Sequence, residues 1–244
     1  MTLGVIGGSG LARLAELTDV RRQVVRTPYG EPSCALTIGR LGEREIVFLA
    51  RHGYGHTLPP HRINYRANIW ALCHVGVSEI VAVATVGGIH AECGPGALVV
   101  PDQIIDYTSG RVNTFFDSTD EPVTHIDFTW PYDHAMRERL LDAGRVSGQE
   151  VRDGGTYGCT QGPRLETAAE IRRMERDGCD LVGMTGMPEA SLAQELGLSY
   201  AALAVVANYA AGLGDSRQAI DVDAIGDVLA DAMGRARQLI ASLV

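Results

Sequence analysis

The stretch LGVIGGSGL, residues 3–11, joins a short apolar run to a glycine-rich turn. Leu3–Ile6 is typical of a buried strand, because strands covered on both faces are continuously apolar. The glycines that follow let backbone N–H groups approach an anion closely, and Ser9 adds a hydroxyl donor. The segment completes neither the dinucleotide pattern GxGxxG nor the Gly-Lys-Ser/Thr of nucleoside-triphosphate loops. It therefore predicts a buried first strand that ends in a turn, which either binds an anion or is purely structural.

Strand-type runs and helical patterns alternate along the rest of the chain. Residues 80–84, 156–160, 181–184 and 200–207 are predicted strands, and residues 65–75, 133–146, 168–176, 188–195 and 222–243 are predicted helices. Such alternation predicts the α/β class, with a largely parallel but mixed central sheet flanked by helices. Because no linker or internal repeat interrupts it, we expect a single domain over residues 1–244. Ligands of such sheets gather at the carboxyl ends of the strands.

Two segments depart from this alternation. Ala35–Ile38 and Glu45–Ala50 flank a turn at Gly39–Gly42 and predict a hairpin. Residues 110–130 predict a long loop with aromatic and acidic side chains.

Composition narrows the class of protein. The 244 residues are 45% hydrophobic, as in an ordinary globular chain, and carry a net charge of −9. That charge argues against a nucleic-acid partner, which usually needs a basic face. The chain has no signal-peptide pattern at its start and no apolar run of about 18 residues, so we expect no membrane partner. Scattered cysteines without a CxxC pair predict reduced thiols and a cytoplasmic protein (Cys34, Cys73, Cys93, Cys159 and Cys179).

Polar side chains follow several predicted strands. Arg51 and His52 come directly after one strand, and the arginine fork matches phosphate geometry. Thr185 stands between a strand and a helix, where its hydroxyl could contact an oxyanion or merely cap the helix. His56 and His61 have no carboxylate at ligand spacing, so we expect no metal. These residues predict an oxyanion site, with structural roles as the alternative.

Two further residues could face one flat ligand. Glu166 lies in CTQGPRLET, residues 159–167, and Asn208 lies in VVANYAAG, residues 205–212. A carboxylate only accepts hydrogen bonds, whereas a carboxamide both donates and accepts. Together they suit a ring N–H beside a carbonyl, which is the edge of a 6-oxopurine and not of a 6-aminopurine. The structural alternatives are that Glu166 is an early-turn helix acid and Asn208 a turn residue.

Several segments together resemble the trimeric branch of the purine nucleoside phosphorylase superfamily, above all the methylthioadenosine phosphorylases. The matching segments are GVIGGSGL (4–11), TPYGEPS (27–33), LARHGYGHTLPPHRINYRANIWAL (49–72), VPDQIIDYT (100–108), QGPRLET (161–167) and MTGMPEA (184–190). The resemblance runs over nearly the whole chain. It implies a nucleoside phosphorylase-like fold, a nucleoside partner and phosphate as co-substrate, with no cofactor and no metal. It also implies a homotrimer, or a hexamer built from paired trimers.

The resemblance also implies roles for individual residues. Phosphate would be bound by Ser9, Arg51, His52, Thr185 and the backbone of Ala84 and Thr85. Met184 would underlie the ribose, and His125 of a neighbouring subunit would cover the 5′ pocket. Leu165 would lie against the base where the family has an aromatic residue, and Ala84 replaces a family threonine.

The chain departs from the methylthioadenosine phosphorylases at the base position. In those enzymes an Asp-Tyr-Asp motif recognises the 6-amino edge. The segment of this chain that resembles it has Asn208, Tyr209 and Ala210 instead. Glu166 stands where they have a serine. Both changes are similar to the 6-oxopurine phosphorylases, which use Glu and Asn. The base-binding set would therefore be Leu165, Glu166, Asn208 and Ala210.

The 5′ position departs in the other direction. Val222 and Ile225 are apolar where 6-oxopurine nucleoside enzymes use a histidine, which favours a methylthio group over a hydroxyl. We therefore expect phosphorolysis of S-methyl-5′-thioinosine, with Asn208 as the catalytic residue that stabilises the departing base. The alternatives are a broader 6-oxopurine nucleoside phosphorylase, then a methylthioadenosine phosphorylase, and a nucleoside sensor without turnover.

Overall fold

The computed structural model describes residues 2–11, 14, 16–120, 122–220 and 225–243. Within those residues, eleven strands join in one sheet. The strands are β1 (Thr2–Gly7), β2 (Thr18–Gln23), β3 (Leu36–Leu41), β4 (Arg44–Ala50), β5 (Val77–Gly88), β6 (Leu98–Val100), β7 (Gln103–Asp106), β8 (Val151–Asp153), β9 (Thr156–Cys159), β10 (Leu181–Gly183) and β11 (Ser199–Tyr209). The helices are α1 (Tyr65–His74), α2 (His134–Val146), α3 (Ala168–Arg176), α4 (Gly186–Glu195) and α5 (Ile225–Ala241), with short 3-10 turns at Pro60–Arg62 and Gly214–Ser216.

The long strand β5 is the centre of the sheet. It pairs in parallel with β1 on one side and with β11 on the other, and its last residues pair antiparallel with β10. From β1 the sheet continues through β4 and β3 to β2, and from β10 through β9 to β7. On the far side, β11 leads to β6 and then β8. The predicted α/β class with a mixed central sheet is confirmed.

Helices cover both faces of this sheet. β5 and β11 are almost entirely buried, as expected for parallel strands that lie between helical layers. One apolar cluster packs with α1 and α4, and a second packs with α2 and α5. The core is therefore one apolar layer on each face of the sheet, with a smaller third cluster that includes α3, and this leaves the strand ends to carry polar groups.

Two details of the strand prediction are corrected. The hairpin forms, but β3 and β4 pair as far as Leu41 and Arg44, so Gly39 lies inside a strand and the turn is shorter than predicted. The strand β2 escapes prediction because all of its residues are exposed and carry no apolar alternation. The sequence signal for a strand is therefore absent where the strand lies at the solvated edge of the sheet.

The loop predicted over residues 110–130 is confirmed, since the described residues between β7 and α2 contain no helix or strand. This loop exposes apolar side chains at Val112, Phe116, Val123 and Trp130. Among the described helices, none is both long and apolar enough to span a lipid bilayer.

The carboxyl ends of β1, β4, β5 and β11 meet at one edge of the sheet because these strands run parallel to one another. The strand β10 runs antiparallel to the last residues of β5, so the chain after Gly183 turns back toward the same region. This edge is where the polar residues singled out from the sequence come together.

Candidate active site

A cavity of about 280 Å³ opens at this edge of the sheet. It is lined by most of the site residues predicted from the sequence: Ser9, Arg51, His52, Ala84, Thr85, Leu165, Glu166, Met184, Thr185, Asn208 and Ala210. The strand order thus brings residues from the first and the last strands into one cavity.

Arg51 is fixed by a buried ion pair. Its side chain is 1% exposed and donates from Nε and Nη2 to both carboxylate oxygens of Glu189, at 2.7 and 2.8 Å. Nη1 donates to the carbonyl oxygen of Val83 at 2.9 Å, and the Tyr200 hydroxyl donates to Glu189 at 2.9 Å. Burial opposes the charge, but Glu189 outweighs it and raises the pKa of Arg51 above its usual value. The guanidinium is therefore charged and held in one orientation.

Sequence analysis missed Glu189. It lies in the MTGMPEA segment at the start of α4, among residues that are nearly all buried. An acid in such an apolar, buried segment is the available signal, because a buried carboxylate requires a partner. The sequence alone does not tell which arginine supplies that partner.

The glycine-rich turn after β1 packs directly against this arginine. A Cβ atom at Gly8 would lie 2.7 Å from the carbonyl oxygen of Val83 and 3.0 Å from Nη1 of Arg51, so only glycine fits. The Thr85 hydroxyl donates to the carbonyl oxygen of Ser9 at 2.9 Å. Thr85 therefore uses its side chain to hold the turn, and the Ser9 hydroxyl remains the turn's side-chain donor.

His52 is neutral and oriented. Its Nδ1 lies 2.8 Å from the carbonyl oxygen of Leu58, which can only accept, so Nδ1 carries the proton. Burial, reinforced by the charge of Arg51, lowers the pKa of His52 to about 4. The His56 ring packs against it with centroids 4.4 Å apart, and Nε2 of His56 lies 3.4 Å from Oγ of Ser9. At neutral pH the Nε2 of His52 is therefore a hydrogen-bond acceptor.

Among the described residues, the histidines beside the cavity are not grouped with further ligands as in a metal site. Across the described ranges, no three or more histidine, cysteine or carboxylate side chains are grouped so that they could hold a metal ion. The cysteines are all free thiols. That the protein uses no metal remains a prediction.

Thr185 occupies the N-cap position of α4 without capping it. Its side chain makes no hydrogen bond to the helix, so the capping alternative is wrong for its hydroxyl. The residue is buried and lines the cavity next to Met184. Its hydroxyl is therefore available to an oxyanion bound beside the start of the helix.

Glu166 is not needed by the helix that follows it. Thr167 caps α3, and Glu170 completes a capping box with it. Glu166 precedes this cap, and its Oε1 accepts a hydrogen bond from the Thr160 hydroxyl at 2.6 Å. The helix-acid alternative is therefore wrong, and the second carboxylate oxygen can accept from a ligand in the cavity. Sequence analysis missed Thr160, whose position at the end of β9 was the signal.

A β-bulge directs Asn208 into the cavity. The strand β11 pairs with β5 as far as Val206, and the pairing resumes at Asn208 opposite Gly87, which leaves Ala207 as the extra residue. Such bulges redirect side chains beside active sites. Nδ2 donates to the carbonyl oxygen of Tyr209 at 2.6 Å, so one N–H and the amide oxygen remain for a ligand. The turn alternative for Asn208 is wrong, because the residue lies within a strand.

The wall beside Glu166 and Asn208 is apolar and partly open. Leu165 lines the cavity while 48% of it is exposed to solvent. Ala210 is buried, and its N–H donates to the carbonyl oxygen of Gly88 at 2.8 Å. A flat ligand here would have one side against aliphatic groups and one edge toward the polar pair.

The cavity is also lined by apolar side chains that sequence analysis did not single out as site residues. Ile220 and Leu229 line it, and both come from the C-terminal part of the chain. Val222 and the side chain of Ile225 lie outside the described part of the structure. His125 is described and exposed, and within one chain it is not among the residues that line the cavity.

The chain belongs to the Phosphorylase superfamily, which matches it over residues 2–244. A relative from Xanthomonas campestris pv. campestris, a probable S-methyl-5′-thioinosine phosphorylase, is 52% identical over 234 residues, which cover 96% of this chain and 94% of the relative. The 6-oxopurine nucleoside phosphorylase of Pyrococcus furiosus is 49% identical over 216 residues, covering 86% and 80%.

A solved structure extends the comparison to the fold. The methylthioadenosine phosphorylase of Schistosoma mansoni in complex with adenine matches with a TM-score of 0.93 and 33% identity, covering 99% of this chain and 90% of that one. The family resemblance drawn from the sequence is confirmed.

Proposed function

We propose that this protein cleaves S-methyl-5′-thioinosine with inorganic phosphate, giving hypoxanthine and 5-methylthioribose 1-phosphate. One observation carries the proposal: Glu166 and Asn208 line the same cavity as Arg51 and Thr185. The first two side chains match the edge of a 6-oxopurine, and the second two suit an oxyanion. The name of the Xanthomonas relative supports the same substrate.

Phosphate would be held at the end of the cavity that Arg51 defines. Ser9, Thr185 and the backbone of Ala84 and Thr85 would add donors there, and Nε2 of neutral His52 would accept from a protonated phosphate oxygen. Phosphate forms a bond to C1′ as the C1′–N9 bond breaks, and the bonding electrons leave with the base. Fixed donors near the anomeric carbon act by positioning and electrostatics.

The departing purine would be stabilised at the other end. Asn208 would donate its free N–H to O6 as negative charge develops on the ring, and its amide oxygen would accept from N7 once that nitrogen has taken a proton from solvent, which makes it the catalytic residue of the base site. Glu166 would accept from N1–H, and Met184 would underlie the ribose. A 6-aminopurine has no N1–H, so its N1 lone pair would face the Glu166 carboxylate. Sites built on such hydrogen bonds discriminate by about 10⁴.

The 5′ group would contact an apolar wall. Ile220 and Leu229 line the cavity, and we propose that they contribute to this wall. Such a wall suits a methylthio group and leaves a hydroxyl without a partner. The name of the Pyrococcus relative favours the second candidate, a broader 6-oxopurine nucleoside phosphorylase that accepts inosine and guanosine.

A substrate panel tests the proposal. S-methyl-5′-thioinosine, inosine, guanosine and methylthioadenosine are each incubated with and without phosphate, and the released base is identified by chromatography. We expect phosphate-dependent hypoxanthine release, fastest from the methylthio nucleoside. Equal kcat/KM for methylthioinosine and methylthioadenosine would overturn the base assignment, and equal values for inosine would favour the broader enzyme. Binding without phosphate-dependent turnover would identify a sensor.

We further propose a homotrimer, with a hexamer of paired trimers as the alternative. The 110–130 loop exposes Val123 and Trp130, and exposed His125 lies between them, as a residue that covers a neighbour's 5′ pocket should. Sedimentation equilibrium measures the mass, and a fully active monomer would contradict this assembly. The free thiols support action in the reducing cytoplasm.

A further inference from the structure

Arg111 lies at the start of the 110–130 loop and makes an unusually large set of hydrogen bonds. Nη1 donates to the carbonyl oxygens of Met184 and Met187, at 2.9 and 2.5 Å, and lies 3.2 Å from the Tyr65 hydroxyl. Nη2 donates to the carbonyl oxygens of Thr160 and Gln161, at 3.3 and 2.9 Å. Nε donates to the side-chain oxygen of Gln161 at 3.1 Å.

Apart from the Tyr65 hydroxyl, these acceptors belong to two neighbouring segments beside the cavity. Thr160 and Gln161 follow β9 and lead to Glu166, and the Thr160 hydroxyl also holds that carboxylate. Met184 follows β10 and lines the cavity beside Thr185. Because β9 and β10 are neighbouring parallel strands, their carboxyl ends lie side by side. Backbone carbonyls just beyond strand ends have lost their ladder partners, and a guanidinium can satisfy several of them at once.

The chemistry of this contact requires arginine. A guanidinium presents five N–H donors in a rigid planar fork, whereas an ammonium is a compact charge that cannot span the same acceptors. Among the ion pairs of the described residues, none involves Arg111, so its contacts are to neutral groups of these two segments and to Tyr65 of α1. Backbone bonds such as Thr160 N–H to the carbonyl oxygen of Gly183 join the two strand ends, and Arg111 adds a side-chain tie between the residues that follow them.

We propose that Arg111 is a positioning residue for base discrimination: it ties the segment that carries Glu166 to the Met184 wall and so fixes where the carboxylate meets the purine edge. This inference rests on the proposed function, since it concerns the same base site. Without the tie, the carboxylate loses its fixed distance to N1–H, and the preference for the 6-oxo base falls.

The test compares Arg111→Lys with Arg66→Lys in the full chain. Arg66 is a matched control because it also lies over a tyrosine ring, at 4.8 Å from Tyr29 against 5.4 Å for Arg111 over Tyr65. It anchors the same loop, through Thr114 and Asp117, but it touches no residue of the cavity wall. Each variant is assayed for kcat/KM on methylthioinosine and methylthioadenosine and for its unfolding temperature.

For Arg111→Lys we expect kcat/KM on methylthioinosine to fall by about 10- to 100-fold, since small misplacements of reacting groups cost that much. The ratio of kcat/KM for methylthioinosine to kcat/KM for methylthioadenosine should fall at least tenfold, because methylthioadenosine gains nothing from a fixed Glu166. Arg66→Lys should keep the ratio within twofold. An unchanged ratio in Arg111→Lys overturns the inference even if its unfolding temperature drops, because the loss of a purely structural contact lowers kcat/KM for both substrates equally.

A milder variant keeps the inference testable if Arg111→Lys does not fold. Gln161→Met removes the side-chain oxygen that accepts from Nε of Arg111 and from the N–H of Ser109, and it leaves the guanidinium and its backbone acceptors in place, so a smaller fall in the same ratio is expected. An unchanged ratio would overturn the inference there too. A wild-type enzyme that shows no preference between the two nucleosides would instead overturn the proposed function, which separates the two failures.

Discussion

The two ends of the cavity are built in different ways. At the oxyanion end, Arg51 is 1% exposed, and Glu189 binds the guanidinium edge formed by Nε and Nη2, with the Tyr200 hydroxyl donating to that carboxylate. At the base end, Glu166 is held by the Thr160 hydroxyl, and Leu165 is 48% exposed. The first end is part of the core, and the second is a surface feature attached to it.

This difference separates what the fold determines from what it leaves open. The solved structure that shares this fold at 33% identity is a methylthioadenosine phosphorylase, whereas a relative at 52% identity is a probable S-methyl-5′-thioinosine phosphorylase. The fold therefore does not decide the base. One partner of a buried ion pair cannot be removed without destabilising the fold, but side chains at a partly open wall can change with little effect on stability.

Replacing Arg51 should have the largest effect, on activity and stability together. Arg51→Met leaves Glu189 buried without its partner, which we expect to lower the free energy of unfolding by about 3–5 kcal/mol. Loss of the charged donor should lower kcat/KM by roughly a thousandfold. Urea unfolding and phosphate-dependent kinetics measure the two effects.

The double variant Arg51→Met/Glu189→Gln separates the two effects. Removing both charges should restore much of the stability, because no unpaired charge stays buried, but it should not restore activity. If the single variant unfolds like the wild type, the oxyanion end is not the rigid part of the molecule and the contrast between the ends fails.

Changing the base end should affect specificity and leave stability nearly unchanged. In Asn208→Asp the carboxylate can no longer donate to O6, so we expect kcat/KM on methylthioinosine to fall by about a hundredfold. The relative preference should move toward methylthioadenosine, and an added Ala210→Asp is expected to extend the shift. Asn113→Asp, an exposed change on the 110–130 loop, is the charge-matched control. An Asn208→Asp enzyme with the wild-type substrate ratio would contradict the base assignment.

At both ends of the cavity the sequence predicts residues that line the cavity, but not the residues that hold them in place. Ser9 and Arg51 could be placed because each follows an apolar strand and the two strands run parallel, whereas Thr185 follows β10, which runs antiparallel to β5 and was not expected to. The residues that hold Arg51 in place could not be predicted, because Glu189 contacts Arg51, and Tyr200 contacts Glu189, only through tertiary packing.

The features that position the side chains at the base end could not be predicted from the sequence either. The bulge at Ala207 that directs Asn208 leaves no mark in an otherwise continuous apolar strand. Arg111 lies in a loop, where no periodicity constrains a side chain, and its partners are backbone carbonyls that carry no sequence signal. Residues that touch a ligand can thus be inferred from chemistry, whereas residues that hold them require the structure.

Removing one hydroxyl at the base end should have a smaller effect. Thr160→Val keeps the shape of the side chain but removes its hydrogen bond to Glu166. A hydrogen bond to a charged group is worth about 1.5–3 kcal/mol, so we expect kcat/KM on methylthioinosine to fall roughly tenfold or somewhat more. Thr160→Ser retains the hydroxyl and should stay near the wild type. Equal losses in both variants would show that packing at this position matters more than the hydrogen bond.

The smallest expected effect is a pH dependence of stability from the oxyanion end. Burial lowers the pKa of His52 from 6.5 to about 4 in the folded protein. Between these values the unfolded chain binds more protons than the folded one, so the free energy of unfolding should fall as pH drops from 6.5 to 4. His52→Asn keeps a donor for Leu58 but does not titrate, so its stability should fall less over this range.

Urea unfolding in phosphate-free buffers measures the difference, because bound phosphate would stabilise the folded state by itself. Parallel curves for the two proteins would show that His52 is not held neutral by burial, and the oxyanion end would then be less enclosed than its geometry indicates.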